Sequence, residues 1–273
     1  MLPHPLFTFR GYPVSAYLVC LGLAMITGWT LAWVTARRVS IPYRFIWDAW
    51  FGSAALAWLG ARSWHFLLTV IPGGSAAHHS WSSPDAAGVA SIGAIAAFLL
   101  ALAILVRIDR RIRHRSEAAL DCFLPGLAGA EAVARLGCFS AGCCHGCPAY
   151  GLPWAVTFPM DSGCSFAGIP VHPTQIYQSL GCGFLALFLY AIAGSNRSSA
   201  FPISGLAVYS LGYGALRFVT EGFRGDQSPI LAGLSLNQIL SLALLGTGLV
   251  LVFRHGDRAA MRNREPALTG PLP

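Results

Sequence analysis

The chain alternates between long apolar runs and short polar connections. Seven runs are long enough to cross a bilayer as a helix, which takes about 20 mostly apolar residues. They lie at roughly 14–35, 46–71, 86–106, 119–142, 174–195, 201–222 and 229–253. The pattern predicts an all-α polytopic membrane protein with about seven transmembrane helices. We assign one domain to residues 1–255 and a disordered polar tail to residues 256–273.

Glycines recur on single faces of these predicted helices. Small residues let two helix backbones approach closely in a membrane. The glycines with this spacing include Gly126, Gly129, Gly137, Gly212 and Gly214. We therefore expect close helix packing at these positions.

The odd-numbered connections between the runs contain arginine, whereas among the even-numbered ones only the sixth does, with Arg224 beside Asp226. The first connection contains Arg37, Arg38 and Arg44, and the third contains five arginines within residues 107–115. The second and fourth connections contain none. Cytoplasmic loops are enriched in basic residues, so the alternation predicts an N-terminus outside and a C-terminus in the cytoplasm.

Composition agrees with a membrane protein and explains the positive charge. Of the 273 residues, 55% are hydrophobic and 11% charged, against about 25% charged residues in soluble domains. The net charge is +7, and the sequence has no lysine. The enrichment of arginine in cytoplasmic loops accounts for this positive charge. No nucleotide, haem or nucleic-acid motif is evident. We therefore predict no nucleic-acid partner and no cofactor.

Two predicted helices contain charged pairs at membrane depth. Glu131 and Arg135, like Arg217 and Glu221, are four residues apart and share a helix face. The pairs either neutralise each other to hold helices together, or present two guanidinium groups to an anion. We favour an anionic lipid headgroup, because two planar forks of N–H donors suit a phosphate. Tyr213 and Arg224 extend the helix face that carries Arg217 and Glu221.

Cysteines cluster after the fourth run, and three interpretations stay open. The residues are Cys138, Cys143, Cys144, Cys147 and Cys164. Disulfides would tie the loop in an oxidising compartment. The C-x-x-C of Cys144 and Cys147 would instead support redox chemistry, or metal binding with His145 or His172. We assign no metal site.

His172 precedes Pro173 at the start of the fifth run. It is either a helix-entry residue at the membrane interface or a general base. Imidazole suits the second role because it titrates near neutral pH.

Three segments form an ordered set of motifs. Residues 134–146 read A-R-L-G-C-F-S-A-G-C-C-H-G, residues 172–178 read H-P-T-Q-I-Y-Q, and residues 212–224 read G-Y-G-A-L-R-F-V-T-E-G-F-R. They resemble the signature segments of the prolipoprotein diacylglyceryl transferase family. Residues 60–62 are similar to a motif of that family's second helix. The predicted helix number and outside N-terminus also agree with the family.

This resemblance implies a specific reaction and location. In the family, a diacylglyceryl group moves from phosphatidylglycerol to a cysteine thiol of a lipoprotein precursor, and glycerol phosphate leaves. The implied partners are phosphatidylglycerol, precursor signal peptides and membrane lipids. The implied protein is a multi-pass monomer of the bacterial plasma (inner) membrane, with its active site toward the outer face.

The resemblance also implies roles for individual residues. Arg135 and Arg217 would bind the phosphate and offset its developing charge. Glu221 would orient Arg217 or manage protons, and His172 or His145 would act as base. The implied substrate-binding residues are Gly137, Cys138, Cys143, His145, Gly146, Gln175, Tyr213 and Arg224. An N-terminal tyrosine of the family would correspond to Tyr12 or Tyr17.

The chain departs from the family pattern at several polar positions. Cys138 and Cys143 stand where the signature has Asn and Glu, Gln178 replaces a Glu, and Ser91 replaces a His. These changes remove candidate acid–base groups and leave the fold expectation intact. Two alternatives therefore stay open. One is a related enzyme with redox or thiol chemistry at the cysteines, and the other is a non-catalytic protein that binds anionic lipid through the same arginines.

Overall fold

Seven helices form the framework of the protein. The computed structural model describes residues 6–9, 12–70, 91–112, 115–193, 204–227 and 229–264. Within these ranges the helices are α1 (Ala16–Arg38), α2 (Tyr43–Val70), α3 (Ser91–Ile108), α4 (Ser116–Ala141), α5 (Thr174–Ile192), α6 (Gly205–Gly222) and α7 (Leu236–Arg264). Each overlaps one predicted apolar run, in order. The prediction of an all-helical fold with seven helices is confirmed.

Two short antiparallel hairpins accompany the helices. Strand β1 (Phe7–Phe9) pairs with β2 (Tyr12–Val14) before α1. Strand β3 (Val156–Thr157) pairs with β4 (Pro170–Val171) within the connection between α4 and α5. Neither hairpin was predicted, because segments of two or three residues are too short to show an alternating pattern.

Local side chains explain where several helices begin and end. The Ser15 hydroxyl accepts a hydrogen bond from the Leu18 amide at the start of α1, and Ser204 does the same for Ala207 at the start of α6. Serine is a favoured N-cap because its oxygen satisfies an amide that lacks a helical partner. Gly142, with φ of 77°, ends α4 in the left-handed region that favours glycine.

Small residues bring α1 and α4 together. A Cβ on Gly126 would collide with the carbonyl oxygen of Gly28, and one on Gly129 would collide with Leu31. On α6, a Cβ on Gly212 would lie 2.8 Å from Leu185 of α5, and one on Gly214 would lie 3.1 Å from Leu245 of α7. The predicted close packing at these glycines is confirmed.

Aromatic side chains fill the core where α2, α3 and α4 meet. Trp50 of α2 stacks on Phe123 of α4 at 6.5 Å and meets Phe98 of α3 edge-on at 5.2 Å. Phe45 packs edge-on against Phe123 at 6.0 Å. Because Phe123 lies near the start of α4, this core lies toward the end of the helix opposite the cysteine-rich connection.

Four helices of the described residues are long and apolar enough to cross a membrane, namely Ala16–Arg38, Ser116–Ala141, Thr174–Ile192 and Leu236–Arg254. The apolar part of α3, Gly93–Ile108, is shorter, and α6 contains Arg217 and Glu221. The structure is thus consistent with a membrane protein, while the number of spans stays a prediction.

Helix α7 continues to Arg264, into the segment assigned to a disordered tail. Alanine, methionine and arginine between residues 258 and 262 favour a helix. Residues 265–273 of the predicted tail lie outside the described residues.

Candidate active site

The segment that follows α4 is held in an unusual backbone conformation. Cys144 has φ of 58°, in the left-handed region that a non-glycine residue adopts at a cost of about 1–3 kcal/mol. Two side chains from the start of α5 stabilise it. The Thr174 hydroxyl donates to the carbonyl of Cys144 at 2.6 Å, and the Gln175 amide donates to that of Cys143 at 2.7 Å. The first and second motifs are therefore in direct contact.

Gly146 joins all three motifs through backbone hydrogen bonds. Its amide donates to the carbonyl of His172 at 3.0 Å, and the next amide, of Cys147, donates to Phe223 at 2.9 Å. The amide of Gly225 donates back to His145 at 3.2 Å. A Cβ on Gly146 would lie 2.5 Å from the His172 carbonyl oxygen and 2.9 Å from that of Phe223. Only glycine fits between these two segments.

Arg135 forms an ion pair within its own helix. Its Nε and one terminal nitrogen donate to one oxygen of Glu131, at 2.9 and 2.6 Å. Arg135 is 5% exposed. The predicted face of α4 is confirmed, and the pair offsets the cost of placing a guanidinium among apolar helices.

Glu221 lies at the centre of a second buried ion cluster. One of its oxygens is 3.2 Å from Arg217 and 3.5 Å from Arg224. Its other oxygen accepts a hydrogen bond from Asn237 of α7 at 2.7 Å. Arg224 also pairs with Asp226 at 2.8 Å. The carboxylate of Glu221 therefore positions two arginines and ties α6 to the start of α7.

A small polar cavity lies between these groups. It is lined by Arg135, Cys144, Thr174, Gln175, Gln178, Arg217, Thr220 and Arg224, and its empty volume is about 180 Å³. This space is too small to enclose a whole lipid. Its charged lining consists of three arginines, so it favours an anion.

Several buried polar atoms at this site have no hydrogen-bond partner among the described residues. They include Nε of Arg217, Oε1 of Gln175 and the hydroxyl of Tyr213. Leaving such a group unsatisfied costs about 1–3 kcal/mol. Donors and an acceptor of this kind suit a ligand that offers both anionic oxygens and hydroxyl groups.

Gln178 is a neutral, buried amide. Its Oε1 accepts a hydrogen bond from the Thr220 hydroxyl at 2.6 Å, and both residues line the cavity. The contact joins α5 to α6. The arginines therefore do not face a carboxylate at this position.

Both predicted histidines have protein partners, and neither belongs to the described residues that line the cavity. Nδ1 of His145 donates to the Gly146 carbonyl at 3.0 Å, and its Nε2 accepts from the Ser165 amide at 3.0 Å. These bonds describe a neutral, structural ring. Nδ1 of His172 lies 3.2 Å from the hydroxyl of Tyr177, and its ring packs against Phe223. Of these two rings, that of His172 keeps a nitrogen, Nε2, with no contact assigned among the described residues.

All eight cysteines are free thiols, so the structure contains no disulfide. The sulfur atoms of Cys138, Cys143 and Cys144 lie within 4.8 Å of one another. Hydrogen bonds from the thiols of Cys138 and Cys143 lower the pKa of Cys144 well below its ordinary value, and the guanidinium groups of Arg224 and Arg135 act in the same direction. Cys144 is thus a half-buried thiol in surroundings that favour its thiolate.

The sequence analysis named half of the residues that line the cavity. Arg135, Arg217, Arg224 and Gln175 were assigned to the site, whereas Cys144, Thr174, Gln178 and Thr220 were not. Gly137 contacts α1, where a Cβ would lie 3.0 Å from Cys20 and 3.3 Å from the Tyr17 carbonyl oxygen. The neighbours of Gly137 and Gly146 are therefore protein atoms.

Tyr17 lies near the start of α1. It lies within electrostatic range of Arg135 and of the three clustered thiols. Tyr12 lies in strand β2, before α1.

Comparison with known proteins agrees with the three motifs. The family model described as prolipoprotein diacylglyceryl transferase matches residues 4–254. The phosphatidylglycerol–prolipoprotein diacylglyceryl transferase of Finegoldia magna is 28% identical over 91% of this chain and 94% of its own. That of Cupriavidus metallidurans is 30% identical over 97% of this chain and 100% of its own. An enzyme of Clostridium perfringens, numbered 2, is 36% identical over 48% of this chain and 49% of its own.

The family model covers nearly the whole chain, and two of these relatives align over almost their full length. The matched span includes α4, α5 and α6, which supply the arginines and the residues around them. The chain therefore belongs to the prolipoprotein diacylglyceryl transferase family.

Proposed function

We propose that this protein transfers a diacylglyceryl group from phosphatidylglycerol to the thiol of a cysteine in a lipoprotein precursor. The relatives bear the name of this activity. The observation that carries the proposal is the convergence of Arg135, Arg217 and Arg224 on one small polar cavity. Three guanidinium groups suit the phosphate of this lipid and of the glycerol phosphate that leaves.

The arginines would act by binding the phosphate before and during its departure. Guanidinium groups make charge-assisted, bidentate hydrogen bonds to phosphate oxygens. Nε of Arg217 has no partner among the described residues and would donate to one of these oxygens. Glu221 would act as a positioning residue, because it fixes Arg217 and Arg224 without lining the cavity. Groups fixed in advance stabilise developing charge most effectively.

The side-chain amide of Gln175 would bind the uncharged part of the headgroup. Its nitrogen donates a hydrogen bond to the Cys143 carbonyl, whereas its buried oxygen accepts none from the described residues. A glycerol hydroxyl can donate to that oxygen. The combination of arginines with one unsatisfied acceptor thus supports a phosphoglycerol headgroup over inorganic phosphate.

The reaction exchanges one bond to carbon for another. The thiol of the precursor loses its proton and attacks the carbon of the diacylglyceryl group that is bonded to a phosphate oxygen. The new C–S bond forms as the C–O bond breaks, and the electron pair leaves with glycerol phosphate, which the arginines stabilise. His172 is our proposed proton acceptor. In that role its Nδ1–H donates to the Tyr177 oxygen, and its Nε2 takes the proton.

We further propose the location of this site. Seven membrane spans, with the N-terminus outside, would place the α4–α5 connection and the cavity at the outer face of the plasma (inner) membrane. The alternation of arginine-rich and arginine-free connections supports this orientation. We also propose that the protein acts as a monomer.

A transfer assay tests the proposal. Purified protein in detergent is given phosphatidylglycerol and a precursor peptide with a single cysteine, and the peptide mass is measured. We expect a gain of one diacylglyceryl group that is lost in Arg135→Ala and Arg217→Ala. Arg111→Ala is the matched control, since Arg111 forms an exposed ion pair with Asp109 away from the cavity. Headgroup binding by wild-type protein without any mass gain would instead establish a lipid-binding protein.

A further inference from the structure

Three cysteines converge at the wall of the candidate active site. Cys138 lies in the last turn of α4, and Cys143 and Cys144 follow the helix end at Gly142. Their sulfur atoms all lie within 4.8 Å of one another. The backbone that holds two of them is fixed by Thr174 and Gln175. The cluster is thus a preorganised set of three sulfur ligands.

The spacing of the sulfurs matches a metal site. Tetrahedral zinc with Zn–S bonds of about 2.3 Å separates its sulfur ligands by about 3.8 Å. Small rotations of the side chains bring three atoms from 4.8 Å or less to that separation. Thiolates select soft metal ions, chiefly zinc and copper(I). We propose that Cys138, Cys143 and Cys144 form a binding site for one thiophilic metal ion, zinc(II) or copper(I).

Charges around the cluster favour bound thiolates. Arg135 and Arg224 both lie within electrostatic range of Cys144. A metal ion held by three thiolates carries a net negative charge, which neighbouring guanidinium groups stabilise. The protons of the three thiols pass to solvent when the metal binds.

Other candidate ligands of the cysteine-rich segment are excluded. Both ring nitrogens of His145 already have protein partners. Cys147 belongs to the C-x-x-C spacing but not to the cluster of sulfurs. The site is therefore the C-x₄-C-C set of residues 138, 143 and 144, with a fourth position open to water or to a ligand thiol.

Metal occupancy would change the neighbouring cavity. Cys144 is a lining residue together with the three arginines. A metal ion bound by Cys144 would therefore lie beside the arginines that line the cavity.

Metal titration tests this proposal without measuring transfer. Reduced wild-type protein in detergent, made metal-free with a chelator, is titrated anaerobically with zinc(II) or, in a separate arm, copper(I). Competition with a chelator of known affinity gives the binding constant and the stoichiometry. We expect one ion per chain in at least one arm. Cys138→Ser, Cys143→Ser and Cys144→Ser should each weaken binding by about tenfold or more.

Two controls keep the result specific. Cys147→Ser removes a thiol from the same segment and should bind metal as wild type does. In wild-type protein, bound metal should protect residues 138, 143 and 144 from alkylation, read by peptide mass spectrometry, so this result does not depend on how the variants fold. The absence of a bound ion in both arms, or equal loss of binding in Cys147→Ser, would overturn the proposal. Transfer by metal-free protein is scored separately, so either proposal can fail alone.

Discussion

Arg217 shares the carboxylate of Glu221 with Arg224, and its planar guanidinium faces both this partner and the cavity. Lysine would keep the positive charge but lose the planar fork. We expect Arg217→Lys to lower kcat/KM for transfer by about 10–100-fold, as loss of a charge-assisted hydrogen bond of about 1.5–3 kcal/mol implies. Arg111→Lys is the control. Wild-type efficiency in Arg217→Lys would show that planar geometry is not used.

Gly146 has no room for a side chain. An added methyl group would lie 2.5 Å from the His172 carbonyl oxygen and 2.9 Å from that of Phe223. We expect Gly146→Ala to cost about 1–3 kcal/mol of stability and to abolish transfer, because it forces the motif segments apart. Thermal unfolding in detergent and the transfer assay measure both effects.

The control for this change is Gly183→Ala on α5. A Cβ there meets nothing within 4 Å, and alanine favours a helix over glycine by about 1 kcal/mol. The control should therefore be as stable as wild type or slightly more stable. If Gly146→Ala behaves like Gly183→Ala, the three segments are not joined at this residue.

At the scale of elements, the start of α5 supports the cysteine segment. Thr174→Val keeps the shape of the side chain but removes the hydrogen bond to the Cys144 carbonyl. We expect a loss of about 1–3 kcal/mol of stability, since a buried acceptor loses its donor, and faster alkylation of Cys144. Thr247→Val on α7 is the matched control, because its exposed hydroxyl bonds only within its own helix. Equal alkylation rates in the two variants would contradict this role for Thr174.

The sequence predicts the helices better than it predicts their mutual contacts. Apolar runs decide the existence of each helix, because backbone groups in a membrane must be satisfied within one segment. The charged pairs of α4 and α6 are also predictable, because residues four apart share a helix face and this spacing can be read from the local sequence. The contact of Gln178 with Thr220 joins residues far apart in the chain, and no local pattern encodes it.

The contacts within the site are equally hard to predict from the sequence. The family resemblance implies a substrate-binding role for His145, whose ring is bonded to Gly146 and Ser165; these two contacts are not visible in the motif. Cys144 reaches the cavity because its backbone is left-handed, which the residue type does not reveal. The motif arginines were found because a charge at membrane depth is rare enough to stand out.

At the scale of the whole molecule, the absence of lysine permits a direct test of orientation. A single introduced lysine provides a unique side-chain target for amine-reactive reagents. Tyr150, which is 75% exposed, lies in the α4–α5 connection, and Arg111 lies in the α3–α4 connection. We expect Tyr150→Lys to react with a membrane-impermeant reagent in intact cells, and Arg111→Lys to react only after lysis.

Peptide mass spectrometry separates these labels from the N-terminal amine, and wild-type protein provides the blank. Labelling of Arg111→Lys but not Tyr150→Lys in intact cells would reverse the proposed orientation. The cavity would then face the cytoplasm, away from exported precursors.

The pairing of Arg135 and Arg217 within their own helices has a consequence for biosynthesis. Arg135 meets Glu131 on α4, and Arg217 meets Glu221 on α6. The charge of each of these arginines is therefore compensated within its own segment before any other helix arrives. Insertion of α4 need not wait for α6, although the catalytic centre exists only when both are in place. A nascent chain can thus integrate helix by helix and become active only at the end of its synthesis.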